Sequence, residues 1–334
     1  MSKFLGLLLL SFFVTSILIL PFIDFLYKLK FRRQKQKTLD AFEKLTPIFD
    51  KLHGWKAGTP IGGGLLVIGV TSVLTLWAYG LLNIEIEPWE VIALLFTFLS
   101  FGLLGLYDDI KKIFKNPNFF GLRLRYKLLI QVILSLIIGS ILYFKLGFNF
   151  INVRWFGIME IGPFFIPLAA FIIVAFTNAF NITDGLDGLA SGLLMICLFS
   201  FWILAAALLD PTLSVFIAIW IGSLIAFLYF NIYPARIWLG DAGALSFGAT
   251  LAVVGLLTGK IIALAVIGGI FVLEVTSSLA QLLAKKYWGK KIFAVAPLHL
   301  WFQNKGWEEP RVVMRAWLVG AILAIFGLWI ACIK

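Results

Sequence analysis

Apolar stretches long enough to cross a lipid bilayer recur along this chain, separated by shorter segments that hold most of the charged residues. A transmembrane helix needs about 20 predominantly apolar residues. Ten stretches meet this requirement, near 4–27, 61–82, 89–107, 126–145, 164–180, 188–209, 213–230, 243–258, 261–284 and 312–333. The pattern predicts an all-α, polytopic membrane protein with about ten transmembrane helices, in which residues 1–334 form one domain.

The composition supports this prediction. The 334 residues are 61% hydrophobic and 13% charged, and their mean hydropathy is +1.01. These values exclude a soluble domain. The two cysteines, Cys197 and Cys332, stand singly within apolar stretches, so the sequence has no cysteine spacing typical of a metal or redox site.

Basic residues are concentrated in alternate connecting segments. The segments 28–60, 108–127, 231–241 and 285–315 hold 23 of the 28 lysines and arginines. Because cytoplasmic loops carry the excess of Lys and Arg, we predict that these segments face the cytoplasm and that both chain termini lie outside. The net charge of +11 is spread over several loops without a compact nucleic-acid-binding motif. We therefore expect membrane lipid, and no nucleic acid, as a partner.

Three connecting segments have patterns of their own. Segment 28–60 is weakly amphipathic and predicts a helix on the membrane surface. Segment 146–163 is the longest outer loop and predicts an interfacial segment or a short hairpin. The three glycines at 62–64 permit either close helix packing or contact with a phosphate.

Acidic residues gather at one predicted end of the helices. Asp108 and Asp109 follow the third span, where two carboxylates at the negative end of a helix dipole require a counter-charge. In the structural interpretation, Lys111 and Lys112 supply that charge and the four residues form a plain surface cluster. The functional alternatives are a divalent metal or a proton-accepting role.

Segment 178–188 combines polar side chains with glycines that allow a ligand close to the backbone. These residues are Asn181, Thr183, Asp184, Gly185, Asp187 and Gly188. The pattern predicts a ligand-binding loop. In the alternative interpretation, Asp187 or Thr183 caps the sixth span and the glycines only turn the chain.

Three further residues on the same side are candidates for function. Asp241 stands where it would cap the eighth span, or it completes a Mg²⁺ site together with phosphate and water. Trp238 is either a membrane-interface tryptophan or a platform that stacks on a base. His299 is a candidate base or a structural histidine, and His53 is a weaker candidate.

Acidic groups able to hold Mg²⁺, many lysines and a polar glycine-rich loop on one membrane face are typical of phosphoryl transfer involving a lipid phosphate. The rival from another class is an ion-coupled transporter that uses buried aspartates as a cation path. Such a transporter is expected to place its acidic groups near mid-membrane, whereas here only Glu274 clearly lies inside a span.

Several motifs, spread over nearly the whole chain, resemble those of the polyprenyl-phosphate N-acetylhexosamine-1-phosphate transferases. They are Lys56-Ala-Gly-Thr-Pro60, Tyr107-Asp-Asp109, Arg125-Tyr-Lys-Leu128, Asn181-Ile-Thr-Asp-Gly-Leu-Asp-Gly188, Gly240-Asp241, Gly289-Lys-Lys-Ile-Phe293 and Ala296-Pro-Leu-His299. Within this superfamily, the segments 306–312 and 315–317 look most like the branch that transfers phospho-N-acetylmuramoyl-pentapeptide.

The resemblance implies ten transmembrane helices and an active site at the cytoplasmic face of the inner (cytoplasmic) membrane. It implies that undecaprenyl phosphate attacks UDP-N-acetylmuramoyl-pentapeptide, releasing UMP and forming the first lipid-linked peptidoglycan precursor. It also implies that Asp241 binds Mg²⁺ and that Asp108 and Asp109 serve the lipid phosphate as base or as support near the metal. His299 matches the catalytic-loop histidine.

The resemblance further implies a nucleotide pocket. Uridine would be bound by Asn181, Asp184, Gly185, Leu186 and Asp187, with Trp238 stacking on uracil. Further positions expected to line this pocket are Lys56, Thr59, Lys112, Asn231 and Gln281.

The chain departs from the superfamily pattern after Ala-Pro-Leu. Members usually have three consecutive histidines there, whereas this chain has His299-Leu300-Trp301. Two polar rings are replaced by apolar groups, so recognition of the nucleotide or of the sugar can differ. An alternative donor, UDP-N-acetylglucosamine or a related nucleotide sugar for another cell-surface polymer, therefore stays open. So does homodimer formation.

Overall fold

The computed structural model describes residues 2–32, 54–81, 85–114, 122–153 and 157–333. Its helices, in chain order, are α1 (Ser2–Lys28), α2 (Gly63–Leu81), α3 (Pro88–Phe114), α4 (Leu124–Phe144), α5 (Phe165–Thr183), α6 (Leu189–Ala207), α7 (Pro211–Asn231), α8 (Gly240–Leu257), α9 (Ile261–Ile267), α10 (Gly269–Tyr287), α11 (Leu298–Asn304) and α12 (Glu309–Cys332). Short 3₁₀ helices cover Gly54–Lys56 and Gly162–Phe164. The surface helix predicted within 28–60 and His53 fall largely or wholly outside the described residues.

The number of membrane spans agrees with the prediction. Within the described residues, nine helices are long and apolar enough to cross a membrane, and the count reaches ten if the bent pair α9 and α10 is one span. The chain is therefore a multi-pass membrane protein. Both cysteines are free; Cys197 is buried, whereas Cys332, near the end of α12, is exposed, contrary to the expectation that both lie buried in apolar stretches.

The ninth predicted span is not a continuous helix, contrary to the prediction for 261–284. Helices α9 and α10 meet at an angle of 78°. Gly268 lies between them, and a Cβ added there would come within 2.6 Å of the Phe176 ring on α5. Glycine has a low helix propensity, and adjacent glycines are common at sharp kinks. The bend therefore occurs where α5 approaches the backbone of Gly268 and Gly269.

Helices α7 and α8 form the centre of the bundle. In their spans, 83% and 89% of the residues are buried. A cluster of three aromatic rings joins α3 to both: Phe98 lies 5.1 Å from Trp220 and 5.7 Å from Phe247, measured between ring centroids. Helices surrounded by protein on all sides need apolar residues all round, which matches the composition of these two segments.

Glycines bring α2 and α3 against the beginning of α8. A Cβ added at Gly64 would lie 2.2 Å from the Cα of Gly243, and one added at Gly105 would lie 2.1 Å from the carbonyl oxygen of Asp241. Such distances are possible only without side chains, as in the close helix contacts of membrane proteins. Gly64 therefore serves helix packing, one of the two roles considered for the glycines at 62–64.

The segment predicted to be the longest outer loop contains a hairpin, one of the two forms considered for it. Strand β1 (Phe150–Val153) pairs antiparallel with β2 (Gly157–Glu160), and Phe150 lies opposite Glu160. This hairpin lies between α4 and α5 in the chain.

Candidate active site

A charged cluster lies where α3, α4 and α8 meet. Asp241, in the first turn of α8, accepts hydrogen bonds at Oδ2 from Lys112 Nζ at 2.8 Å and from Lys127 Nζ at 2.5 Å. Asp108 Oδ2 is 3.1 Å from the Lys112 ammonium and 2.9 Å from the Lys127 ammonium. Each lysine therefore bridges two carboxylates. We call Asp108, Asp109, Lys112, Lys127 and Asp241 the α8 cluster.

Asp109 holds the first turn of α8 from the neighbouring helix. Its Oδ1 accepts a hydrogen bond from the Asp241 N–H and its Oδ2 accepts one from the Ala242 N–H, both at 3.1 Å. The first amides of a helix have no partner within that helix. The Asp109 carboxylate thus takes the part of an N-terminal cap.

Two expectations about this region are wrong. Asp241 does not cap α8, because the helix begins at Gly240 and the carboxylate of Asp241 is paired with lysines instead. Asp108 and Asp109 do not follow the end of a helix, because α3 continues to Phe114. Of the two lysines predicted to supply the counter-charge, Lys112 does pair with Asp108, and the second partner of Asp108 is Lys127 on α4 in place of Lys111.

Asp184 follows the last residue of α5, and the described residues show no ion pair or side-chain hydrogen bond to its carboxyl group. Burial raises the pKa of Asp184 well above the usual aspartate value. The negative charges of Asp241, Asp187 and Asp109 raise it further, and the positive charge of Lys56 opposes the increase. Asp184 therefore lies within electrostatic reach of two groups of charges.

The second group of charges, which we call the Lys56 cluster, consists of Lys56, Asp187 and Glu309. The Lys56 ammonium donates to Asp187 Oδ1 at 2.6 Å and to Glu309 Oε1. Glu309 Oε1 also accepts the Asp187 N–H at 2.7 Å. All three residues are buried. The cap interpretation of Asp187 is wrong, since α6 begins after Gly188 and has no side-chain cap.

Trp238 joins the Lys56 cluster from the loop before α8. Its indole Nε1–H donates to Asp187 Oδ1 at 3.1 Å, and its ring centroid lies 5.7 Å from the Lys56 ammonium. The Ala235 N–H donates to Asp187 Oδ2 at 3.0 Å. Asn231 shapes the same loop, because its Nδ2 donates to the Ile237 carbonyl at 3.0 Å. Its Oδ1 accepts the Ser191 hydroxyl at 2.5 Å.

His299 lies on α11 and is buried against α10 and the turn at 184–188. Glu274 Oε2 is 3.1 Å from His299 Nδ1, and Glu274 Oε1 accepts the His299 N–H at 3.1 Å. A Cβ added at Gly185 would lie 2.6 Å from His299 Nε2. A carboxylate at Nδ1 fixes the ring orientation and favours the tautomer that leaves Nε2 free to accept a proton.

The remaining predicted site residues differ in what they contact. Gln281 Oε1 accepts the Ile292 and Phe293 N–H groups at 3.0 Å, and its Nε2 donates to the Phe293 carbonyl at 2.8 Å. It therefore holds a loop. The Leu186 side chain is 3% exposed and belongs to the hydrophobic core. Asn181 is half-buried on the last turn of α5. Thr59 lines a recess of about 470 Å³ that is also lined by Ala235, the residue whose N–H donates to Asp187.

Comparison of the sequence with known proteins identifies the family of this chain. The sequence pattern of glycosyl transferase family 4 matches residues 91–259. A phospho-N-acetylmuramoyl-pentapeptide-transferase of Caldanaerobacter subterraneus is 38% identical over 320 residues, covering 95% of each chain. One from Rickettsia canadensis is 38% identical, covering 90% of this chain and 86% of the relative. One from Pelagibacter ubique is 39% identical over 303 residues, covering 82% and 80%.

The chain belongs to the phospho-N-acetylmuramoyl-pentapeptide-transferase family. The expectation of a transferase enzyme is thereby confirmed. Two charged clusters lie near the turn at 184–188 of this transferase: Asp187 belongs to the Lys56 cluster, and Asp184 lies within electrostatic reach of Asp241 and Asp109. The structure brings together Asp108, Asp109, Lys112 and Asp241 in one cluster and Lys56, Asp187 and Trp238 in the other.

Sequence reasoning left three charged residues of this transferase unassigned. Lys127 stood within a quoted motif but received no role. Glu274 carried a signal of its own, because an ionisable residue inside a membrane span is a functional candidate. Glu309 lies within the family-like segment 306–312 but is given no role, and nothing in its local sequence reveals a contact with Lys56, 253 residues away.

Proposed function

We propose that this chain transfers the phospho-N-acetylmuramoyl-pentapeptide group from its UDP derivative to undecaprenyl phosphate. An oxygen of the lipid phosphate forms a bond to the phosphorus next to the sugar, the bond from that phosphorus to the bridging oxygen breaks, and UMP leaves. The names of the relatives support the substrate. The observation that carries the proposal is the α8 cluster, in which two lysines and three carboxylates meet where three apolar helices converge.

Lys112 and Lys127 are suited to binding phosphate. Their ammonium groups converge on the same oxygen, Asp241 Oδ2, so an incoming phosphate would meet two positive charges already held in place. Preorganised positive charge lowers the barrier of phosphoryl transfer by stabilising the equatorial oxygens. We therefore assign these two lysines to the phosphates of the donor and the acceptor.

The residues present fit a magnesium ion. In the α8 cluster three carboxylates accompany two ammonium groups, a formal excess of one negative charge, and Asp184 lies within electrostatic reach of it. Among the described residues, no three His, Cys, Asp or Glu side chains are arranged as a complete metal site. Mg²⁺ typically takes one or two carboxylates and shares its other positions with phosphate and water. Asp241 would hold it, and the bound ion would neutralise phosphate oxygens.

Asp108 and Asp109 are better suited to positioning than to proton transfer. A phosphate monoester has a second pKa of about 6, so the attacking oxygen is largely ionised at neutral pH and needs no strong base. Asp109 is occupied by two backbone amides. Asp108 accepts the Leu122 N–H at 2.6 Å besides the two lysines. We assign them to holding Asp241, Lys112 and Lys127 in place.

The nucleoside would occupy the Lys56 cluster. Trp238 offers an aromatic face for the base, and Asp187 and Lys56 supply an acceptor and a donor. Asp184 lies within electrostatic reach of both clusters, and the neighbouring Gly185 lies close to His299, so the ribose and the diphosphate would pass along these residues. Asn231 and Gln281 support the surrounding loops. The basic segments beside the site favour a cytoplasmic orientation in the inner membrane.

The test is release of UMP by the purified protein in detergent. Incubation with UDP-N-acetylmuramoyl-pentapeptide, undecaprenyl phosphate and Mg²⁺ should release UMP, and omission of the lipid or addition of EDTA should prevent it. Matched reactions with UDP-N-acetylglucosamine are the control for donor choice. Turnover of that donor alone would overturn the assignment of the sugar, and release of UDP would overturn the bond cleavage.

A further inference from the structure

We propose that Glu309 is a positioning residue that sets the nucleotide affinity of this enzyme through Lys56 and Asp187. The proposal rests on the proposed function, because it takes the Lys56 cluster as the nucleoside end of the donor site. Glu309 lies in the first turn of α12, after the loop that follows α11.

One oxygen atom of Glu309 makes both contacts. Oε1 accepts from the Lys56 ammonium and from the Asp187 backbone N–H. Lys56 lies in the short 3₁₀ helix before α2, and Asp187 lies in the turn between α5 and α6. Lys56 is 131 residues from Asp187 and 253 residues from Glu309 in the sequence. Glu309 thus joins three segments that are distant from one another along the chain.

Because the contacts of Glu309 are buried, they determine the positions of Lys56 and Asp187. The three residues are 3%, 4% and 6% exposed. A buried ammonium or carboxylate is unfavourable unless ionic partners and hydrogen bonds compensate it, and removal of one partner leaves the others without compensation. Without the Glu309 carboxylate, both the Lys56 ammonium and the Asp187 amide would lose a charged acceptor and would seek new positions.

The charge of the Lys56 cluster indicates which part of the donor it receives. Two carboxylates accompany one ammonium, so the cluster carries one excess negative charge and repels phosphate. It suits a neutral partner with N–H and O–H donors, such as a pyrimidine base and its ribose. Glu309 therefore contributes to nucleoside binding, while the phosphates are directed toward Lys112 and Lys127.

Steady-state kinetics and UMP binding test this assignment in the purified full-length protein. We expect Glu309→Gln to raise the KM for the UDP-sugar about tenfold, the effect of losing one charged hydrogen bond, with kcat and the KM for undecaprenyl phosphate nearly unchanged. UMP should bind about tenfold more weakly in titration calorimetry. Glu309→Asp keeps the charge and should restore part of the affinity. Glu308→Gln is the matched control, because the neighbouring Glu308 is exposed.

The outcomes separate a positioning role from a structural one. A lower unfolding temperature with unchanged UMP affinity would overturn the proposal, as would equal losses in Glu308→Gln. If Glu309→Gln fails to fold, the UMP affinity of Glu309→Asp tests the proposal in its place. A UMP affinity equal to that of the wild type would then overturn the proposal. UMP binding also separates the two hypotheses: weaker binding in Glu309→Gln supports the positioning role even if the wild-type protein fails to use the muramoyl donor. Absence of UMP binding by the wild type would overturn it.

Discussion

Lys127 on α4 and Asp241 on α8 form an ion pair of 2.5 Å. This pair connects a helix that faces lipid on much of its surface with the most buried helix of the bundle. The same lysine reaches Asp108 on α3. Three helices are therefore joined at the point where phosphate is proposed to bind, and the Lys127 ammonium is common to all of these contacts.

Replacement of this lysine should affect catalysis strongly. Removing one preorganised donor to a developing oxyanion costs about a hundredfold or more in turnover, so we expect Lys127→Gln to lower kcat/KM by about that factor. Arg125→Gln is the control, because Arg125 is exposed on the same helix. Near-wild-type turnover of Lys127→Gln in a UMP-release assay would contradict the role given to this residue.

Asp241→Asn should abolish Mg²⁺-dependent turnover while the protein stays folded. The amide keeps the size of the side chain but removes the charge that is proposed to hold the ion. UMP release across a Mg²⁺ titration, together with the thermal unfolding midpoint in detergent, checks this. The exposed residue Asp24 supplies the matched change, Asp24→Asn. Full activity in Asp241→Asn would remove the residue from the metal site.

Glu274 is expected to act through His299. Removing one preorganised hydrogen-bonding group beside the reacting phosphates costs about a hundredfold or more, so His299→Ala should lower kcat by about that factor with little change in UMP affinity. Glu274→Gln should lower kcat less, by about tenfold, because the ring remains but its orientation and tautomer are less well fixed. The exposed Glu160 provides the control Glu160→Gln. Unchanged rates would assign His299 a structural role.

The contact between Gly64 and Gly243 predicts that alanine substitutions at two glycines of α2 differ in their effect on protein stability. Gly64→Ala forces apart two backbones in contact, and overpacking of this kind costs about 1–3 kcal/mol or more. A Cβ at Gly69 meets nothing within 4 Å, so Gly69→Ala should be neutral or slightly stabilising. Thermal unfolding of the two variants in the same detergent makes the comparison. Equal unfolding midpoints would show that the helices separate easily.

Asp184 predicts a pH dependence of stability. Because burial and neighbouring negative charges raise its pKa, the folded protein binds this proton more tightly than the unfolded chain. Its contribution to stability therefore falls as pH rises from the usual aspartate pKa through the raised value. In EDTA, Asp184→Asn should unfold at a higher temperature than wild type at pH 8 and at a similar temperature near pH 4.

The control for this pH experiment is Asp24→Asn, which changes an exposed carboxylate. It should leave the difference between the two pH values unaltered. An equal gain for Asp184→Asn at both pH values would mean that the effect comes from packing and has no electrostatic origin.

The apolar pattern predicts the spans well because bilayer thickness fixes their length. The predicted span 61–82 corresponds to α2 at Gly63–Leu81 and 126–145 to α4 at Leu124–Phe144. The bend at Gly268 was missed because a kinked helix pair has the same hydropathy as a straight helix. The bend depends on the approach of Phe176, a contact between distant segments that the local sequence does not record.

The sequence predicts which residues gather in the candidate site but does not predict which of them bind to one another. Acidic and basic residues at one end of the spans indicated which side chains would gather. They did not indicate that Asp109 binds amides while Asp241 binds lysines. These choices depend on differences of a few ångströms in helix position. Glu309 illustrates the limit, because its partners lie in two remote segments.

The amides bound by Asp109 have one further consequence. The side chain that starts α8 also fixes the backbone of Asp241, so the onset of a central helix and the placement of a reactive carboxylate depend on the same two hydrogen bonds. We therefore expect that docking of α3 onto α8 is needed both to assemble the bundle and to complete the proposed catalytic site, so that a chain in which these helices are undocked is inactive.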